Sequence, residues 1–104
     1  MAERLDPARI DRELATLPGW RRDGDALCCS YRFADFRAAF AFMQQMAQVA
    51  EELRHHPDWR NCYAQVDLRL STHEAGGLTA LDLAFARRAA VLAEAGGGVV
   101  VGTR

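Results

Sequence analysis

The chain has three histidines, His55, His56 and His73, and all fall within nineteen consecutive positions. Imidazole is the side chain best suited to exchange protons near neutral pH, so such a cluster points to general acid/base chemistry. Glu51 stands four residues before His55. On a continuing helix it would share that face and could orient the ring or hold it charged. Trp20 and Trp59 have flat rings that suit a planar heterocycle. Each residue also has a plainer reading. A histidine near a helix C-terminus is favoured by the dipole alone. An exposed Glu–His pair contributes little, and tryptophans are commonly core or rim aromatics. Thr79-x-x-Asp82 has the form of a capping box at a helix start.

Other chemistries fit less well. His55 and His56 are adjacent, so one helix face cannot offer both, and Cys62 has inward parity on a strand; neither matches the usual zinc spacings. Gly96 to Gly98 follow a helix instead of preceding one, the wrong end for a phosphate cradle. There is no Gly-x-Ser-x-Gly nucleophile elbow. Thirteen Lys and Arg balance fourteen Asp and Glu with no long basic run, which disfavours direct nucleic-acid binding. The richest apolar run, Ala38 to Met43, is six residues, far from the ~20 that a membrane helix needs. The start, MAERLDPARI, lacks the apolar core of a signal peptide. Cys28 and Cys29 are adjacent, Cys62 stands alone, and no Cys-x-x-Cys occurs, so a reducing, cytoplasmic setting is expected.

The elements that must position these residues are legible in outline. Residues 1–104, half of them hydrophobic, make one domain, able to bury roughly 65% of its unfolded surface. Asp6-Pro7 starts a helix with Ile10, Leu14 and Leu17 on one face, ended by Pro18-Gly19. Trp20 to Asp23 and Ala26 to Phe33 read as a hairpin around Asp23-Gly24-Asp25. Asp35 to Arg54 is the strongest helix. It has one apolar row of Phe36, Phe40, Met43, Ala47 and Ala50 beside another of Ala39, Phe42, Met46, Val49 and Leu53. That is wider than the ~100° stripe of a surface helix; one row suits the core, and Ala39/Phe42/Met46/Val49 is the extra row, assigned to a partner. His56-Pro57 ends the helix. Cys62 to Ser71 alternates with period two and predicts one strand, with His73 at or just beyond its end. A last helix from about Thr79 to Ala95 would turn Leu81, Phe85, Val91 and Leu92 inward, with Arg88 unexplained inside that stripe. Residues 96–104 read as a loose tail or a short added strand. The order gives an α+β class with helices on one face of an antiparallel sheet.

One pattern is specific. Glu51, three residues, His55-His56-Pro57, five residues, Tyr63, nine residues, His73, eight residues, Asp82 resembles the signature of the pterin-4a-carbinolamine dehydratases. The neighbouring text HHPDWRNCY and LSTHEAGGLT is similar to that family too, and the likeness runs from Leu17-Pro18-Gly19-Trp20 through the last helix. Leu81 stands where family members often carry a basic residue. The resemblance implies a four-stranded antiparallel sheet with three helices on one face and a homodimer or homotetramer. It implies dehydration of 4a-hydroxytetrahydropterin to quinonoid dihydropterin, in pterin recycling, with no metal and no cofactor. His55 and His73 would be the main acid/base pair and His56 would bind or assist. Glu51 would orient His55, Trp20 or Trp59 would flank the pterin, and Asp82 would complete the substrate-binding set. The alternative within the same resemblance is a non-catalytic dimerisation or assembly cofactor using the same fold.

Overall fold

The computed structural model describes residues 3–102. Helix α1 spans Pro7–Leu14, strand β1 Arg21–Asp23, β2 Ala26–Arg32, α2 Phe36–Leu53, β3 Asp58–Cys62, β4 Gln65–Leu70, α3 Ala80–Ala95 and β5 Val99–Val100, with a short 3-10 turn at His73–Ala75. All strand pairs are antiparallel, in the order β1-β2-β4-β3, and β5 pairs with β2.

The helix starts follow from local chemistry. Asp6 and Asp35 accept the backbone N–H groups of Arg9 and Ala38, which would otherwise lack partners in the first turn. On the sheet, Leu27, Cys29 and Tyr31 of β2 and Val66, Leu68 and Leu70 of β4 share one face. They form a single core with Ile10 of α1, Ala39, Phe42, Met46 and Val49 of α2, and Leu83, Phe85, Ala86, Ala89 and Ala93 of α3. All three helices therefore cover one face of the sheet, the α+β arrangement expected. The other face carries Cys28, Ser30, Asp67 and Arg69.

Several expectations are corrected. Helix α1 stops at Leu14, and Leu17 reaches the core from the turn that follows. The ten-residue alternating segment is not one strand. Tyr63 takes φ 54°, the chain reverses at Tyr63-Ala64, and Cys62 pairs with Gln65. The reversal puts Cys62 on the open face, exposed, while Val66, Leu68 and Leu70 stay buried. In α2 the row Ala39/Phe42/Met46/Val49 lies inside the protein's own core, so it is not the surface left for a partner. The row left outside contains Phe36 and Phe40, each 47% exposed and stacked on one another. In α3 Leu81 is only half-buried and Val91 is exposed, because the inward stripe is Asp82, Phe85, Ala86, Ala89 and Ala93. Arg88 lies off that stripe and pairs with Glu52 across the α2–α3 seam. Of the tail, Val99–Val100 adds β5 to the sheet, with Val100 set against the left-handed Gly19; residues 103–104 lie outside the described residues.

Candidate active site

The site begins where α2 ends. Arg54 adopts φ 51°, ψ 45°, the left-handed region, and its N–H bonds to the Ala50 and Glu51 carbonyls. The His55 N–H then closes on the Ala50 carbonyl at 3.0 Å. This is the Schellman closure that satisfies the last carbonyls of a helix. It also breaks the helical periodicity between Glu51 and His55 and turns His55 inward.

His55 is 8% exposed, and its Nε2 lies 2.5 Å from Asp82 Oδ1. Asp82 sits in the first turn of α3 and is fully buried. Its Oδ2 accepts from Thr72 Oγ1 at 2.8 Å and from the Thr79 N–H at 2.9 Å. The hydroxyls of Thr72 and Thr79 are 2.9 Å apart. A buried carboxylate is tolerable when polar partners surround it, and this one has two donors on Oδ2 and the His55 ring against Oδ1. The capping box is therefore present, and the same carboxylate also serves a second residue, His55.

His56 remains at the surface, where its Nε2 meets Glu51 Oε2 at 2.8 Å. Glu51 thus serves His56 and not His55. His73 is exposed and opens the 3-10 turn that follows β4. That turn is pinned by the bridge between Thr72 and Gly77. His73 lines a cavity of about 220 Å³ together with Asp25, Asp58, Arg69, Ser71 and Thr72. Asp58 and Arg69 also line a larger hollow of about 700 Å³ on the open sheet face, whose wall includes Trp59. The end of α2 meets the start of α3 through His55 and Asp82, the end of β4 meets it through Thr72, and the start of β3 pairs with β4 at Asp58 and Arg69; His73 lines the smaller cavity there, and neither His55 nor His56 does.

Two residues expected to touch a ligand lie elsewhere. Trp20 is 5% exposed within the core, donates its indole N–H to Tyr31 Oη at 2.9 Å and has no face free for a heterocycle. Asp82 stands behind His55, with no surface to offer a substrate. Trp59 is half-buried, packs on the core and borders the open-face hollow.

Charge at the cavity rim is fixed by Arg69. Its Nη1 donates to Asp23 Oδ2 at 2.9 Å and to Cys28 Sγ at 3.4 Å. The hydrogen bond from Arg69, and then its charge, hold the Asp23 carboxyl below the usual carboxylate range. At Asp67 burial pushes the other way, but hydrogen bonds from Gln65 and Ser30 and the charge of Arg60 outweigh it and keep that carboxyl low.

Sequence reasoning missed Thr72. A signal was present: Thr72 has the parity of Leu68 and Leu70, and a hydroxyl at an inward position must find a buried partner. Asp82 likewise lies three and four residues before Phe85 and Ala86, on the apolar stripe.

The family model described as Pterin 4 alpha carbinolamine dehydratase matches residues 3–92. A protein of Thermomicrobium roseum, provisionally named a pterin-4-alpha-carbinolamine dehydratase, is 53% identical over 90 residues, covering 86% of this chain and 97% of its own. A Rhizobium rhizogenes protein with the same provisional name is 47% identical over 87 residues, covering 82% and 86%. Among solved structures, a transcriptional coactivator/pterin dehydratase from Brucella melitensis superposes with TM-score 0.84 at 41% identity, over 88% of this chain and 99% of that one. A pterin dehydratase-like protein identified as a RuBisCO assembly factor in the alpha-carboxysome gives TM-score 0.62 at 27% identity, over 72% and 89%.

Proposed function

The chain belongs to the pterin 4 alpha carbinolamine dehydratase family, and from that premise we propose that it removes water from a 4a-hydroxytetrahydropterin to give the quinonoid dihydropterin, as a step in pterin recycling. The elimination breaks the C4a–O bond, takes the proton from N5 and forms the N5=C4a double bond. The departing hydroxyl leaves with a proton as water. One group must therefore accept a proton while another delivers one, and neutral and protonated imidazoles perform both near pH 7.

The observation that carries this reading is the buried contact of His55 with Asp82, which Thr72 joins to the turn that puts His73 on a cavity wall. In the proposed mechanism His55 and His73 are the principal acid/base pair. His56, held by Glu51, binds or assists, and Trp59 borders the ring. No metal and no cofactor is required. The protein acts as a homodimer or homotetramer through the exposed row that includes Phe36 and Phe40.

The test is stopped-flow absorbance with the carbinolamine generated in situ. The wild-type chain accelerates dehydration, and His55→Ala and His73→Ala each lose roughly 10²–10⁴-fold. A second reading, a non-catalytic assembly cofactor, is favoured by the fold shared with the carboxysome assembly factor. It prevails if the wild-type chain is as inert as both variants.

A further inference from the structure

The hydrogen bonds behind His55 run in one direction. The Leu81 N–H donates to Thr79 Oγ1 at 3.2 Å. Thr79 and Thr72 share a hydroxyl contact of 2.9 Å, and Thr72 Oγ1 lies 2.8 Å from Asp82 Oδ2. A carboxylate can only accept, and a threonine hydroxyl has one proton. Thr72 must spend its proton on Asp82, so Thr79 must donate to Thr72. With the Thr79 N–H also on Oδ2, both of these donors fall on one oxygen, and an ionised Asp82 leaves Oδ1 to accept Nε2–H from His55. The other ring nitrogen, Nδ1, has no hydrogen-bond partner among the described residues. No buried side-chain nitrogen or oxygen among them is left unpartnered. Nδ1 is therefore where the nearly buried ring reaches solvent.

We propose that Thr72 is a positioning residue: its hydroxyl, aimed by Thr79, keeps Asp82 a pure acceptor, fixes His55 as the Nε2–H tautomer and leaves Nδ1 as the atom that exchanges the proton. Thr72 also holds the bridge to Gly77 that pins the turn beginning at His73. One residue thus reaches Asp82, behind the His55 ring, through its hydroxyl and holds the turn that bears His73 through its backbone. The inference rests on the acid/base role proposed above for these two histidines, but the tautomer can be measured without turnover.

The experiment uses the full chain, uniformly labelled with ¹⁵N and studied at pH 8 without substrate, alongside Thr72→Val and Thr72→Ser. Long-range ¹H–¹⁵N spectra are expected to show His55 as Nε2–H in the wild type and in Thr72→Ser, and as a mixture of tautomers in Thr72→Val. In the dehydration assay Thr72→Val should lose roughly tenfold or more in kcat, with KM little changed and the pH profile displaced, while Thr72→Ser stays near wild type. An Nδ1–H tautomer in the wild-type spectrum overturns the proposal even if Thr72→Val does not fold. So does a Thr72→Ser variant with a mixed tautomer, or a Thr72→Val variant with the wild-type spectrum. A wild-type chain inert in the assay but Nε2–H in the spectrum defeats the dehydratase reading and upholds the tautomer.

Discussion

Glu51 Oε2 lies 2.8 Å from His56 Nε2, and both side chains stand largely in solvent. Solvent screens such a pair, and ordering two exposed side chains offsets much of what it gains. Glu51→Gln should therefore change folding stability by about 0.5 kcal/mol or less. The midpoint of urea unfolding with and without the substitution measures this. A loss of several kcal/mol would mean that Glu51 supports something other than His56.

Asp82 is the opposite case. Its two oxygens receive His55, Thr72 and the Thr79 N–H inside the protein. Asp82→Ala would remove the acceptor that all three groups share, with only the Thr72 hydroxyl able to turn to Thr79, and each stranded donor costs about 1–3 kcal/mol. The expected loss is about 3 kcal/mol or more, read from the same urea curves. Asp82→Asn keeps one accepting oxygen and should fall between the wild type and Asp82→Ala.

The contrast between these carboxylates marks the limit of what could be read from the sequence. Helix starts were legible because their causes are local: Asp6 and Asp35 cap the turns they precede. The exchange of histidine partners was not, because it depends on Arg54 at φ 51°. No glycine or asparagine announces that turn, although these residues adopt it most readily. The split of β3 from β4 has the same origin, in Tyr63 at φ 54°. The inward face of α3 was hard to see because Ala86, Ala89 and Ala93 contrast little with Ala80 and Ala90. What sets its rotation is a polar residue, Asp82, drawn inward by partners distant in sequence. The family signature located the three histidines together without revealing which carboxylate serves which ring.

Two buried groups on β2 make the fold sensitive to alkali. Burial pushes the Cys29 thiol up from an ordinary value of 9.0 to about 11, and burial also raises the Tyr31 phenol well above its ordinary 10.0. Both folded-state values exceed the unfolded ones, so the unfolded chain releases these protons first. Their contribution is intact below about pH 9 and is lost as pH rises through about 11, with Tyr31 extending the loss further. Urea midpoints should fall between pH 8.5 and 11, and Cys29→Ala should flatten the first part of that fall. At pH 8 a thiol reagent should modify exposed Cys62 well before Cys29. A midpoint independent of pH across this window would contradict the assignment.

The last prediction concerns assembly. Phe36 and Phe40 stack with ring centroids 5.8 Å apart, and each is 47% exposed on the side of α2 away from the core. Covering aromatic surface of this kind is worth about 25 cal/mol per Å² removed from water. The α2 face therefore gains from meeting a second copy, which presents the same apolar row in return. Phe40→Glu places a charge there without disturbing Ala39, Phe42 or Met46, which face inward. Light scattering at micromolar concentration should give a dimer or tetramer for the wild-type chain and a smaller species for Phe40→Glu, with an unchanged far-ultraviolet circular dichroism spectrum. A wild-type chain that remains monomeric would remove the proposed association. An assembly unchanged by Phe40→Glu would move the contact to another surface.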